Sequence, residues 1–104
     1  MMPTPIKIIV NVHKTVDNKK IVAVCDNELI GKKFEEKNLQ LDLASNFYRG
    51  EEKTEEEAIK IFHYAYIINF VGKRSVELAL KQGIISGNNI IYIKKIPHAQ
   101  AILA

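Results

Sequence analysis

The chain has 104 residues, 47% apolar and 26% charged, which is the length and balance of one ordinary globular domain. A single cysteine, Cys25, excludes an internal disulfide and a cysteine-built metal site within one chain. No apolar run approaches the roughly 18 residues that span a bilayer, and the start, MMPTPIKIIVNVHK, lacks the segments of a secretory signal, so a cytoplasmic protein with no membrane partner is expected.

The net charge of +3 is unevenly distributed. Glu51 to Glu57 hold five acids and one lysine, whereas residues 58–104 hold Lys60, Lys73, Arg74, Lys81, Lys94 and Lys95 against Glu77 alone. A cationic C-terminal half suits phosphate or nucleic acid, although lysines spread over a solvated surface produce the same count.

In chain order, Ile6 to His13 is β-branched and partly alternating, and Pro3 and Pro5 prevent a helix ahead of it. Val16 to Lys20 reads as a turn and Ile21 to Cys25 as a second strand, which together predict an antiparallel hairpin. Asp26 stands where an N-cap belongs, ahead of a short helical stretch, Asn27 to Ile30, that Gly31 stops. Leu39 to Leu43 alternates as a half-buried strand does, and Ala44 to Lys53 is loop by composition. Thr54 and Glu57 form a capping box, and Ala58, Ile59, Phe62, Ala65, Tyr66 and Asn69 fall at helical spacing, which predicts a helix to about Phe70. Gly72 interrupts; Lys73 to Gln82 follows as a second helix, with Gly83 as its stop. Ile90 to Ile93 is the last strand, ended by Pro97. The order β-β-(short α)-β-α-α-β predicts a single α+β domain over residues 1–104, with a mixed or antiparallel sheet of about four strands and a helical pair packed on it.

Four short blocks carry a resemblance. Cys25-Asp26-Asn27-Glu28-Leu29-Ile30-Gly31-Lys32, Phe47-Tyr48-Arg49-Gly50, Asn69-Phe70-Val71-Gly72 and Pro97-His98-Ala99-Gln100 occur in the order seen in a small, mainly archaeal family, domain of unknown function four-hundred-twenty-four, which the chain resembles from about residue 6 to residue 100. The positions that match its motifs are Gly31, Lys32, Gly50, Asn69, Gly72, Pro97, His98 and Gln100. Lys94-Lys95 departs from the less basic, glycine-containing run expected there. The resemblance implies a cytoplasmic archaeal domain and carries over no activity.

Chemistry must therefore come from the residues. Cys25, Asp26 and His98 supply the parts of a nucleophile, base and orienter; the alternative is a small buried thiol beside a helix cap. His13, His63 and His98 lie on three separate elements without chelating spacing, so neither a metal nor another cofactor is expected. Gly72-Lys73-Arg74-Ser75 opens a helix, where free N–H groups and two cations attract phosphate; its alternative is a helix–helix corner with a solvated basic pair. Tyr48 and Arg49, beside Phe47, offer an aromatic and a cation for stacking on bases, while Phe47 itself is expected to seal the core.

Three functions remain. The leading one is a non-enzymatic binding module for RNA or a ribonucleoprotein, of the translation-related kind, using Lys73, Arg74, Ser75, Lys94, Lys95, Tyr48 and Arg49. The alternatives are a small enzyme at Cys25, Asp26 and His98, and a subunit that works within a protein complex through its apolar C-terminal tail.

Overall fold

The N-terminal hairpin forms as its turn residues predict. Strand β1 (Lys7–Lys14) pairs antiparallel with β2 (Lys20–Asp26), with Val10 opposite Val24. The structure, a computed structural model, describes residues 7–103; Pro3, Pro5 and Ile6 lie outside the described residues.

The fold is α+β, but among the described residues its main sheet has six strands rather than about four, and a separate two-stranded sheet adds β3 (Lys33–Glu36) and β4 (Leu39–Asp42). Glu51 to Lys53, loop by composition, belongs instead to β5 (Glu51–Thr54), an edge strand on β1 whose acidic side chains suit an edge that faces water.

A larger correction concerns the first helix. The capping box is present, with Glu57 N donating to Thr54 Oγ1 (3.2 Å) and Thr54 N to Glu57 Oε1 (2.9 Å), but α1 (Glu55–Phe62) ends eight residues before Phe70. Tyr66 N donates to the Lys20 carbonyl (2.8 Å), and Ile67–Val71 becomes β6, a central strand parallel to β2. Apolar residues in a strand buried on both faces have no polar alternation, so helical spacing continues through them by coincidence. The β-branched and aromatic content of Ile67-Ile68-Asn69-Phe70-Val71 is the signal that favours a strand.

The C-terminal end is likewise a hairpin rather than one strand. After α2 (Lys73–Lys81), β7 (Ile91–Ile93) turns through Lys94-Lys95 into β8 (Ile96–Ile102). Pro97 lies inside β8 opposite Tyr92 and does not end a strand. The ladder alternation next to a two-residue turn makes this a non-hydrogen-bonded pair, and β6 stops at Val71 opposite His98, so no neighbour needs a donor from Pro97.

The main sheet runs β5–β1–β2–β6–β8–β7, with β5–α1–β6 and β6–α2–β7 as crossovers that lay both helices on one face. The helices are thus a pair on the sheet, separated in sequence by its central strand. Under them Val10, Val22, Val24, Ile68, Phe70 and Ala99 meet Ala58, Phe62, Val76 and Ala79, with Phe62 and Phe70 edge to face at 5.4 Å. The opposite face is covered in part by the Asn27–Leu29 turn, the β3–β4 hairpin with Leu43 at its end, and the 44–50 loop, through Leu29, Leu41, Leu43 and Tyr48 against Cys25, Val71 and Ile93. No helix among the described residues is long and apolar enough to cross a membrane.

Candidate functional site

Asp26 ends β2 with its side chain on the helix face, 2% exposed, where the parallel strand β6 delivers the first turn of α2. Oδ2 accepts from Arg74 N (3.0 Å), and Oδ1 accepts from Ser75 N (2.8 Å) and Ser75 Oγ (2.8 Å). Asp26 makes no side-chain cap on the 3-10 turn Asn27–Leu29 that follows it, and caps instead a helix 48 residues further on. Gly72 is a strand–helix junction rather than a helix–helix corner: its φ is +103°, and a Cβ there would stand 2.3 Å from Asp26 Cγ. The N–H groups expected to hold a phosphate therefore already hold a carboxylate, and Ser75 is fully buried beneath it. Arg74 turns aside to Glu28, Nη1 to Oε2 at 3.2 Å.

Cys25, Asp26 and His98 do not converge. Cys25 and His98 both pair with Val71 and share the hairpin face, which places their Cα atoms two strand spacings, roughly 10 Å, apart. Asp26 points to the other face. Cys25 is fully buried and donates Sγ–H to the Asp26 carbonyl (3.4 Å); burial, then the charges of Asp26 and Glu28, push the thiol up to about 12, the reverse of a thiolate nucleophile. Burial also lowers the His98 pKa, and both its ring nitrogens are buried without a hydrogen-bond partner among the described residues. Among the described residues no three His, Cys, Asp or Glu side chains are grouped to hold a metal ion.

The aromatic loop is latched to the sheet. Asn11 Nδ2 donates to the Asn46 carbonyl (3.1 Å), and His13 Nε2 lies 3.0 Å from the Phe47 carbonyl, an acceptor that requires the Nε2–H tautomer. The His13 and Phe47 rings stack at 4.9 Å, 4° from parallel. Phe47 is half-buried, whereas Tyr48 is 8% exposed inside the core, its hydroxyl pushed up to about 12 by burial and then by Cys25. Tyr48 thus offers no face to a base. Arg49 is exposed where the chain enters β5, at the opposite sheet edge from β7.

The remaining motif residues divide between support and surface. Gly50 lets β5 approach β1, since a Cβ would meet the Val10 carbonyl oxygen at 2.2 Å. Gly31 and Lys32 flank Leu43 by backbone hydrogen bonds of 2.8 Å each and seat the β3–β4 hairpin. The Pro97 carbonyl accepts from Gly72 N (2.9 Å), tying two of the motif blocks together. Asn69 and Gln100 are cross-strand neighbours on the hairpin face, in one row with Ala23 and Asn11.

What the fold does bring together is Lys73 and Lys95. They line an open cleft of about 330 Å³ between α2 and the β7–β8 hairpin, with Val76, Tyr92 and Pro97 as apolar walls and Glu77 beside them. Leu80 and Tyr92 are 39% and 59% exposed there. Sequence reading missed Tyr92 and Glu77; alternation with Ile91 and Ile93 sets Tyr92 on the opposite face from them, but which face the helices cover is decided by the crossover topology. Lys94, next in the turn, is exposed, and its backbone N–H donates to Glu36 Oε1 (3.2 Å).

A six-stranded mixed sheet with two crossover helices on one face, a small hairpin on the other and a cleft lined by Lys73 and Lys95 at one edge defines a small α+β protein. The chain belongs to the family described as "Protein of unknown function (DUF424)", whose model matches residues 13–103. In structure it is similar to an uncharacterized conserved protein from Methanopyrus kandleri, with a TM-score of 0.77 at 24% identity over 90% of this chain and 89% of that one, a likeness of fold. No curated protein matches the chain.

Proposed function

We propose that this protein is a non-enzymatic binding module for RNA, free or within a ribonucleoprotein assembly. The observation that carries the reading is the meeting of Lys73 and Lys95, 22 positions apart in sequence, at one cleft that also exposes Tyr92. Cations beside an exposed aromatic are the elements with which proteins hold a phosphate backbone and stack a base. An enzyme built on Cys25, Asp26 and His98 has less support, because the carboxylate is committed to α2 and the thiol is held protonated.

The test is fluorescence anisotropy with labelled RNA across a salt series. Binding that weakens with salt, and weakens further in Lys73→Ala, supports the reading; no binding at low salt refutes it. Ile102 and Leu103, 64% and 40% exposed, favour a second reading as a subunit of a protein complex. Protein captured from native lysate that survives nuclease and is lost in Ile102→Asp would establish that alternative.

A further inference from the structure

The turn between β7 and β8 carries residues ill-suited to its backbone. Ile93 pairs with Ile96, so only Lys94 and Lys95 make the turn, with φ of +50° and +66°. Two-residue hairpins with positive φ at both positions ordinarily use Asn-Gly or Asp-Gly, because a Cβ is strained in the left-handed region. Here two lysines adopt it, the second of them lining the cleft that Lys73 also lines. A local conflict held in place by its surroundings is a mark of a functional segment, and the Glu36 contact to Lys94 N is part of what holds it.

We propose that the Lys94–Lys95 turn and Lys73 form the phosphate-gripping rim of a single-nucleotide subsite for single-stranded RNA, with Tyr92 as its stacking platform. The inference rests on the RNA-binding reading and adds to it the subsite and the strand state. A cleft of about 330 Å³ is at the small end of ligand sites, room for one nucleotide and too little for a duplex. Bases in a duplex hide the face that Tyr92 requires, whereas a single strand presents it. Glu77, in the same cleft, argues against a bare phosphate: a carboxylate repels an anion but accepts a hydrogen bond from a ribose hydroxyl or an exocyclic amine.

The test uses the full chain and a labelled single-stranded RNA of about ten nucleotides, a length within the usual site range. Lys94→Asn/Lys95→Gly removes both charges and supplies the residues the turn prefers. It is expected to raise the melting temperature, to weaken binding by about tenfold or more, and to reduce the salt slope by about 1.4, the share of two single-strand phosphates. Lys60→Ala/Lys81→Ala removes the same charge elsewhere and is expected to leave affinity within about twofold. Tyr92→Phe retains binding and Tyr92→Ala loses it, and the same RNA annealed to its complement binds more weakly. If the wild type binds but the two double variants weaken it equally, or Tyr92→Ala binds normally, or the duplex binds as well, the subsite is overturned while RNA binding stands. An unchanged or lowered melting temperature for Lys94→Asn/Lys95→Gly overturns the strained-turn argument. If the wild type fails to bind at all, the underlying reading fails first.

Discussion

The carboxylate of Asp26 occupies the space that any side chain on Gly72 would fill: a Cβ at residue 72 would lie 2.3–2.7 Å from the Asp26 Cγ and both its oxygens. The two residues are one device. The glycine admits the carboxylate, and the carboxylate satisfies the first N–H groups of α2 from a strand far away in sequence.

Substituting either partner is therefore expected to destabilise the fold by a similar route. Gly72→Ala forces the carboxylate aside and places a Cβ at φ +103°, a loss of about 2–4 kcal/mol. Asp26→Asn presents an amide donor to N–H donors and loses about 2–3 kcal/mol, leaving buried polar groups unpaired. Urea denaturation measures both, and the double variant is expected to lose clearly less than the two single losses combined, because the sites share one interaction.

Cys25 is expected to be inert. Its thiol, pushed up to about 12, remains protonated at pH 8, and its sulfur is buried. Alkylation by iodoacetamide at pH 8 should be slow in native protein and should accelerate with urea in step with unfolding. Rapid stoichiometric labelling under native conditions would show an activated thiol and revive the enzyme reading.

His98 predicts an acid-sensitive stability. Its folded pKa lies below the ordinary value near 6.5, so on acidification the unfolded chain takes up the proton first. The stabilisation from the neutral ring is complete above about pH 6.5 and is lost as the pH falls towards and through the folded pKa. His98→Phe removes both unpartnered nitrogens and is expected to change stability at pH 7 by no more than about 1 kcal/mol, in either direction. It should also flatten that part of the profile in melts between neutral pH and pH 5. A pH slope that persists in the variant would assign the effect to another group.

The loop latch is a separate matter of local order. His13→Ala removes the Phe47 carbonyl contact and the ring stacked on it, with an expected loss of about 1 kcal/mol. Amide hydrogen exchange should accelerate in residues 44–50 while β2 and β6 retain their protection. Uniform acceleration throughout would mean that His13 supports the whole sheet and not the loop alone.

Local chemistry made much of this protein legible from its residues. The hairpin of β1 and β2, the capping box of Thr54 and Glu57, the helix from Lys73 and the stop at Gly83 each depend on neighbours within a few positions, and each appears. The strand at residues 67–71 was hidden because a strand buried on both faces has no polar alternation to betray it. Pro97 misled for a related reason, since whether a proline ends a strand depends on which neighbour needs its missing N–H.

The candidate site divides along the same line. Sequence alone singled out Asp26, Gly72, Lys73, Lys95 and His98 as residues of consequence, because their types and local settings are unusual. Only the tertiary structure decided what each one meets. Parallel pairing of β2 with β6 carries Asp26 to α2 and closes the expected phosphate site. The crossover from β6 through α2 to β7 brings Lys73 and Lys95 to one cleft beside Tyr92. Residue type and near neighbours set the chemistry a side chain can perform, but its partners come from strands and helices many positions away, and sheet topology chooses them.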